Sequence, residues 1–132
     1  CVMLNNGELD GERLVSPATM ETFTANHTGD IPAGDWQTSH QLSQNLALSD
    51  GGTGRWSLGF LRAGRDQPGK RREGSLSWGG LHNTYFWIDR RTGIAATLFM
   101  QVLPFADPMC LSVLDRFERY VYSILNQPGD TG

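Results

Sequence analysis

The residues best placed to do chemistry lie together in Gly74-Ser75-Leu76-Ser77-Trp78-Gly79-Gly80-Leu81, followed at once by His82-Asn83-Thr84-Tyr85-Phe86-Trp87-Ile88-Asp89. Ser77, Gly79 and Gly80 flank a large aromatic where a strand should begin. Glycine weakens a strand, so paired glycines there mark a place where another backbone or a ligand comes close. A serine nucleophile is the first chemistry to weigh. Ser75-Leu76-Ser77-Trp78-Gly79 comes near a Gly-x-Ser-x-Gly elbow, but Ser75 replaces the first glycine and no helix follows, whereas the elbow needs a strand-to-helix turn. Ser77 is therefore not expected to act as an independent nucleophile. A Ser-x-x-Lys pair cannot exist, because Lys70 is the only lysine and Gln67 stands three residues before it. His27, His40 and His82 have no metal-ligand spacing with one another or with the cysteines, so neither a metal nor another cofactor is expected. His82 is a candidate by its neighbours, although a lone histidine at a strand start is more often structural.

The elements that must position this motif follow from pattern. Tyr85 to Asp89 is rich in aromatic and β-branched residues, Asp89-Arg90-Arg91-Thr92-Gly93 has turn chemistry, and Ile94 to Val102 is an apolar run too rich in Ile, Thr and Phe for a good helix. Both runs are nearly continuous in apolar residues, which predicts strands covered on both faces by helices. Arg55 to Arg62 reads as a further strand with Trp56, Leu58 and Phe60 alternating, and Arg65-Asp66-Gln67-Pro68-Gly69 turns from it to the motif. The C-terminal helix is the plainest element. Asp107 caps it, Pro108 takes its first position, and Cys110, Val113, Leu114, Phe117, Val121, Ile124 and Leu125 recur at three- and four-residue steps, with Asp115, Arg116, Glu118 and Arg119 facing away. Gln127-Pro128-Gly129-Asp130 should end it, with a disordered tail beyond.

Near the other end, Cys1-Val2-Met3-Leu4-Asn5-Asn6-Gly7 looks like the last turn of a helix closed by a glycine cap. A turn on Asp10-Gly11 follows, then a short helix with Ser16 as cap, Pro17 at its first position, Val15 stapled to Met20, and an end near Asn26. The stretch 27–54 is polar, with little periodicity, and reads as a long loop that is equally a site edge or a surface connection. The organisation expected is one domain: 1–26 as helix end, turn and short helix, 27–54 as loop, 55–102 as antiparallel strands, and 107–126 as the closing helix.

Composition narrows the partners. The chain has 132 residues, 39% apolar and 19% charged, enough for one globular domain with a core. A net charge of −3 argues against nucleic acid, and Lys70-Arg71-Arg72 is too short for a binding face and reads as a solvated loop. No apolar run approaches a membrane span, and no signal peptide is present. The opening lacks an initiator Met, so the natural start is expected upstream, and the compartment stays unknown. Cys1 and Cys110 could pair only if the fold joined them, and Cys110 on an apolar helix face reads as a core thiol.

Taken in order, Trp78-Gly79-Gly80 on a strand, a long loop before it, and an aromatic strand, turn, apolar strand and terminal helix after it resemble the end of a β-lactamase-related serine hydrolase. The nearest subgroup is the esterases related to class C β-lactamases and penicillin-binding proteins, and the run Met3 to Pro17 is similar to a phrase that follows a helix in them. The resemblance implies an α+β fold: the C-terminal portion of a β-lactamase/transpeptidase-like fold, an antiparallel sheet flanked by helices and ending in a long C-terminal helix. It implies catalysis through an acyl-enzyme on ester or lactam carbonyls. The family's Ser-x-x-Lys and Tyr- or Ser-x-Asn motifs lie N-terminal to what is seen here; no Tyr-x-Asn occurs, and Ser43-Gln44-Asn45 falls too close to the third motif to count.

By the same resemblance, Trp78-Gly79-Gly80 occupies the third motif, and the backbone N–H of Leu81, after its final glycine, would donate to the oxyanion that a serine's attack creates. Gly79 and Gly80 would let substrate lie along the strand, Trp78 would be an apolar wall where relatives have a lysine, and His82 and Asn83 would line the pocket. Losing that cation removes an anchor for a substrate carboxylate and favours simple esters over penicillin-type lactams. The partners implied are the missing N-terminal part, a small ester or lactam, and a homodimer or swapped oligomer; no nucleic acid and no membrane are expected. Against this stand a sheet whose glycines only permit close packing, a non-catalytic binding module, and a remnant that self-associates through exposed apolar surface.

Overall fold

The computed structural model describes residues 1–48 and 50–125. The expected helix terminator and tail at 127–132, and the last residue of the 107–126 helix, lie outside the described residues. The chain opens in a helical turn that closes as foreseen, but with the roles shifted by one residue. Gly7 N–H reaches back to Val2 C=O at 2.8 Å, and Asn6, at φ 53°, takes the left-handed position. Gly7 (φ 95°) cannot be replaced, since a Cβ there would stand 2.0 Å from Val15 O. β1 (Glu8–Leu9) and β2 (Glu12–Arg13) form a hairpin over Asp10 and Gly11, both with positive φ, which a two-residue turn of this hand demands. Ser16 Oγ accepts from Thr19 N–H at 3.1 Å to cap α1 (Pro17–Thr24), which buries Met20.

The main sheet has five antiparallel strands in chain order: β3 (Arg55–Trp56), β4 (Leu61–Arg62), β5 (Leu76–Gly80), β6 (Thr84–Asp89) and β7 (Ile94–Leu98). The single strand expected over 55–62 is instead a tight hairpin. Ser57 N–H bonds Phe60 C=O at 2.9 Å and Gly59 adopts φ 86°, so the chain reverses where simple alternation read straight on. Nor are β6 and β7 covered on both faces. In β6, Tyr85, Trp87 and Asp89 are buried while Thr84, Phe86 and Ile88 are half-buried; in β7, Ala95 and Thr97 are exposed, as is Phe99 just beyond. The reason is that α2 (Pro108–Leu125) lies on one face only, with Phe117 edge-on to Trp87 at 5.7 Å.

Asp107 caps α2 through Met109 and Cys110 N–H, as its sequence predicts. Its inward face differs from the expected stripe. Val113, Ile124 and Leu125 are exposed, whereas Glu118, expected to face solvent, is fully buried. Glu118 is held by Arg71, whose Nε and Nη2 donate at 2.7 and 3.0 Å and whose backbone N–H adds a third bond, and by Lys70 Nζ at 3.2 Å. The basic run 70–72 is thus no solvated loop: it is the counter-charge to a carboxylate inside the fold, and Arg71 also lies over the Trp87 ring. Burial pushes the Glu118 carboxyl up, but the hydrogen bonds and charge of Arg71 and the charge of Lys70 prevail and hold it below the usual range. Asp89, also fully buried, accepts from Arg72, Arg91 and Thr92 N–H and from Tyr122 Oη, tying the β6–β7 turn to α2. Cys1 is exposed and Cys110 buried, both free, so no disulfide joins them.

Candidate functional site

The site is built on the β5–β6 hairpin. Gly79 pairs with Tyr85 and Gly80 with Thr84, and a Cβ on Gly79 would meet the Tyr85 ring at 2.8 Å, one on Gly80 the Thr84 hydroxyl at 2.5 Å. Close packing across the hairpin therefore accounts for both glycines. They also leave an edge open. β4 pairs only with Leu76 and Ser77, so among the described residues Trp78, Gly79 and Gly80 have no strand on that side. Asn83 N–H bonds Gly80 C=O at 3.0 Å, directing the polar groups of Gly80 towards β6. Because successive residues of a strand point their N–H and C=O groups to opposite edges, Gly79 presents its pair to the open one, and the Leu81 N–H, anti to the Gly80 C=O across a trans peptide, points away from β6 as well.

Leu81 and His82 are the central residues of the turn, neither with positive φ, and Asn83 follows at φ 57°. This is the three-residue hairpin loop of a type I turn plus a left-handed residue. The Leu81 side chain is exposed. His82 is exposed too, and its C=O accepts from Val102 N–H at 3.3 Å. Asn83 corrects the expectation of a pocket-lining residue. It is fully buried, its Nδ2 donates to Val102 and Pro104 C=O at 2.9 and 2.8 Å, and its Oδ1 accepts from Tyr85 Oη at 2.8 Å. Asparagine tolerates the left-handed position and its amide supplies two donors and an acceptor at once, so its role is to hold the hairpin to the segment before α2. Burial and the nearby Cys110 push the Tyr85 hydroxyl up to about 12, keeping it a proton donor to Asn83 at neutral pH.

Beside β5 a cleft of about 360 Å³ runs between Ser77 to Gly79, the 46–54 loop and α2. The 27–54 segment reaches it through a bridge of Trp36 to Leu46 and another of Ser43 to Phe105. Asp50 anchors the loop's far end by accepting from the Thr53 hydroxyl and from Gly64 N–H; burial pushes its carboxyl up, but these bonds hold it below the usual range. Trp78 is flanked by Trp56 at 4.9 Å and Trp36 at 6.1 Å between ring centroids. Sequence reasoning did not find these two companions; a tryptophan in an otherwise polar loop is the signal that could have flagged Trp36. Ser77 Oγ donates to Leu61 C=O at 3.5 Å, and among the described residues no histidine or lysine is hydrogen-bonded to it. Among the described residues no three His, Cys, Asp or Glu side chains could hold a metal ion, and no helix is long and apolar enough to cross a membrane.

A five-stranded antiparallel sheet with Trp78-Gly79-Gly80 on an open edge and a long closing helix has the β-lactamase/transpeptidase-like fold, and the chain resembles the C-terminal portion of proteins with that fold. No family model matches the chain. It is 35% identical to monacolin J acid methylbutanoyltransferase of Aspergillus terreus over 74 residues, 54% of this chain and 18% of that protein. To ML-236A carboxylate methylbutanoyltransferase of Penicillium citrinum it is 33% identical over 88 residues, 65% of this chain and 21% of that one. Unliganded simvastatin synthase from Aspergillus terreus superposes with a TM-score of 0.69 at 24% identity, covering 96% of this chain and 33% of that structure. A penicillin-binding protein homologue from Caulobacter crescentus gives 0.55 at 18% identity, over 92% and 29%. The chain thus matches about a fifth of the length of the curated relatives and about a third of the solved structures.

Proposed function

We propose that this chain is the portion of a serine acyl-transfer enzyme that supplies the oxyanion strand, and that it works with an N-terminal part carrying the Ser-x-x-Lys nucleophile. The observation that carries the reading is the open edge of β5, where the Leu81 N–H points away from β6 beside Gly79 and Gly80. A donor held rigidly before reaction is what a developing oxyanion requires. In this reading Leu81 donates its N–H, Gly79 and Gly80 line the path of the substrate, and Trp78 stands beside it in place of a cation. His82, exposed on the turn, borders the entrance. The two relatives are named for moving a methylbutanoyl group, which supports an acyl-enzyme resolved by an alcohol or by water; the preference for neutral esters over charged lactams rests on Trp78 alone.

The test is hydrolysis of a short p-nitrophenyl ester by this chain alone and after mixing with its upstream part. Activity only on mixing, lost when the upstream serine is replaced, is the expected result. Within that assembly Leu81→Pro is the decisive variant. Proline suits the first central position of a type I turn and Gly80 is already extended, so the substitution removes the N–H while keeping the hairpin. It should lower kcat about 100-fold or more, the usual effect of losing one oxyanion donor. Unchanged kcat in Leu81→Pro would exclude Leu81 as donor, and activity of the chain alone would overturn the division of labour.

A further inference from the structure

Three of the chain's four tryptophans gather at one place, although they come from the 27–54 loop, β3 and β5. The fourth, Trp87, is fully buried in the core. Trp36 is 44% exposed, and Trp56 and Trp78 are half-buried, so the group presents indole surface to solvent rather than filling an interior. The loop is not draped there by chance: Trp36 exchanges both backbone hydrogen bonds with Leu46, at 2.7 and 2.9 Å. Edge-to-face and tilted rings, at 4.9 and 6.1 Å respectively, hold one another in place, which lowers the ordering cost of binding against them. Trp78 is also the residue next to Gly79, at the start of the open edge.

We propose that Trp36, Trp56 and Trp78 form a subsite for the neutral apolar body of the substrate, an extended ester whose reacting carbonyl lies further along β5 at the Leu81 N–H. This rests on the reading of β5 as the acyl-transfer edge. Leu81 stands three residue steps beyond Trp78, about 10 Å, so the group on the indoles is remote from the reacting carbon. Binding energy from a remote part of a substrate is what positions the reacting part. The subsite favours apolar surface over a carboxylate, because among the described residues no cation lies over these three rings and Lys70 and Arg71 of the adjoining cleft are already paired with Glu118 and Asp115.

The test uses the indole N–H signals of the 132-residue chain in a ¹⁵N-correlated NMR titration, four signals of which Trp87 serves as internal control. Methyl hexanoate should move the Trp36, Trp56 and Trp78 signals along one saturation curve and leave Trp87 still. Hexanoate anion and methyl acetate should each bind at least about tenfold more weakly, lacking respectively neutrality and apolar length. Trp36→Ala should weaken methyl hexanoate about tenfold while the Trp87 signal stays in place, showing the fold intact. The proposal is overturned if the three signals do not move, if they move equally with hexanoate, if Trp36→Ala binds as well as wild type, or if they shift with protein concentration alone, which would make a second copy the occupant. Binding without ester hydrolysis on mixing would refute the catalytic reading and leave the subsite standing; hydrolysis without movement of these signals would do the reverse.

Discussion

Glu118 is the residue on which the interior's electrostatics turn. Its side chain is 1% exposed and Arg71 is 12% exposed, so neither charge has water to fall back on. Removing one partner of such a pair strands the other, a cost of about 3–5 kcal/mol. Glu118→Gln should therefore lower the urea midpoint sharply at pH 7. The pH dependence has a definite sign. A carboxyl held below its ordinary value of 4.5 in the folded chain contributes stability above that value, and the contribution is lost as pH falls through the folded value. Asp89 acts in the same sense, since burial pushes it up but the Arg72 N–H and Tyr122 hydroxyl hold it down. Wild type should thus weaken progressively as pH falls from the ordinary carboxylate value of 4.5 through the lowered folded values, and Glu118→Gln should show a shallower decline, with Asp89 supplying the remainder. Parallel pH profiles for the two proteins would mean that the Glu118 carboxylate is not what titrates.

The β5–β6 hairpin joins site and scaffold, and Asn83 is its fastener. Asn83→Ala removes two bonds to C=O groups, leaves the Tyr85 hydroxyl without its acceptor, and puts a Cβ residue without compensation in the left-handed region. The expected loss is about 2–4 kcal/mol in chemical denaturation, with Asn83→Gly recovering about 1 kcal/mol of it because glycine adopts that conformation freely. Equal stabilities for wild type and Asn83→Ala would return Asn83 to the list of pocket residues. The hairpin also shows what the sequence could tell. The runs 85–89 and 94–102 were legible as strands, although the second stops at Leu98, and the Asp10-Gly11 turn and the caps Ser16 and Asp107 were legible because turn and cap chemistry is local. Asn83 was misread for the opposite reason: its partners, Val102 and Pro104, lie about twenty residues on. Glu118 failed likewise, because a charged residue at helical spacing reads as solvent-facing until its counter-charge, 47 residues away, is known. The Trp-Gly-Gly edge could be placed on a strand from its residues, but its openness depends on β4 beginning only at Leu61, after the reversal at Gly59, which alternation across 55–62 concealed.

At the scale of the molecule, apolar surface is left over on two elements. β7 pairs only with β6, so its far edge offers unmatched N–H and C=O groups among the described residues, and Phe99 beside it is 78% exposed. On α2, Met109, Val113, Tyr120 and Ile124 are all exposed and lie within about 60° of one another around the axis. A helix already committed to the core on one face and apolar on another needs a second neighbour. An open edge strand beside exposed apolar surface is the usual template for association, and in the proposed assembly the N-terminal part would cover it. Alone, the chain should cover it with copies of itself. Sedimentation velocity is expected to give a species larger than a monomer whose share grows with concentration up to about 100 µM, within the range where such surfaces associate. Phe99→Lys and Tyr120→Lys, each placing a charge on one of the two surfaces, should shift the distribution towards monomer without changing the far-UV spectrum. Adding the upstream part should compete in the same direction, because both partners claim the same surface. A wild-type chain that stays monomeric across that range would show that β7 and α2 are tolerated bare, and the reason for the apolar outer face of α2 would then have to be sought in the acyl-transfer assembly alone.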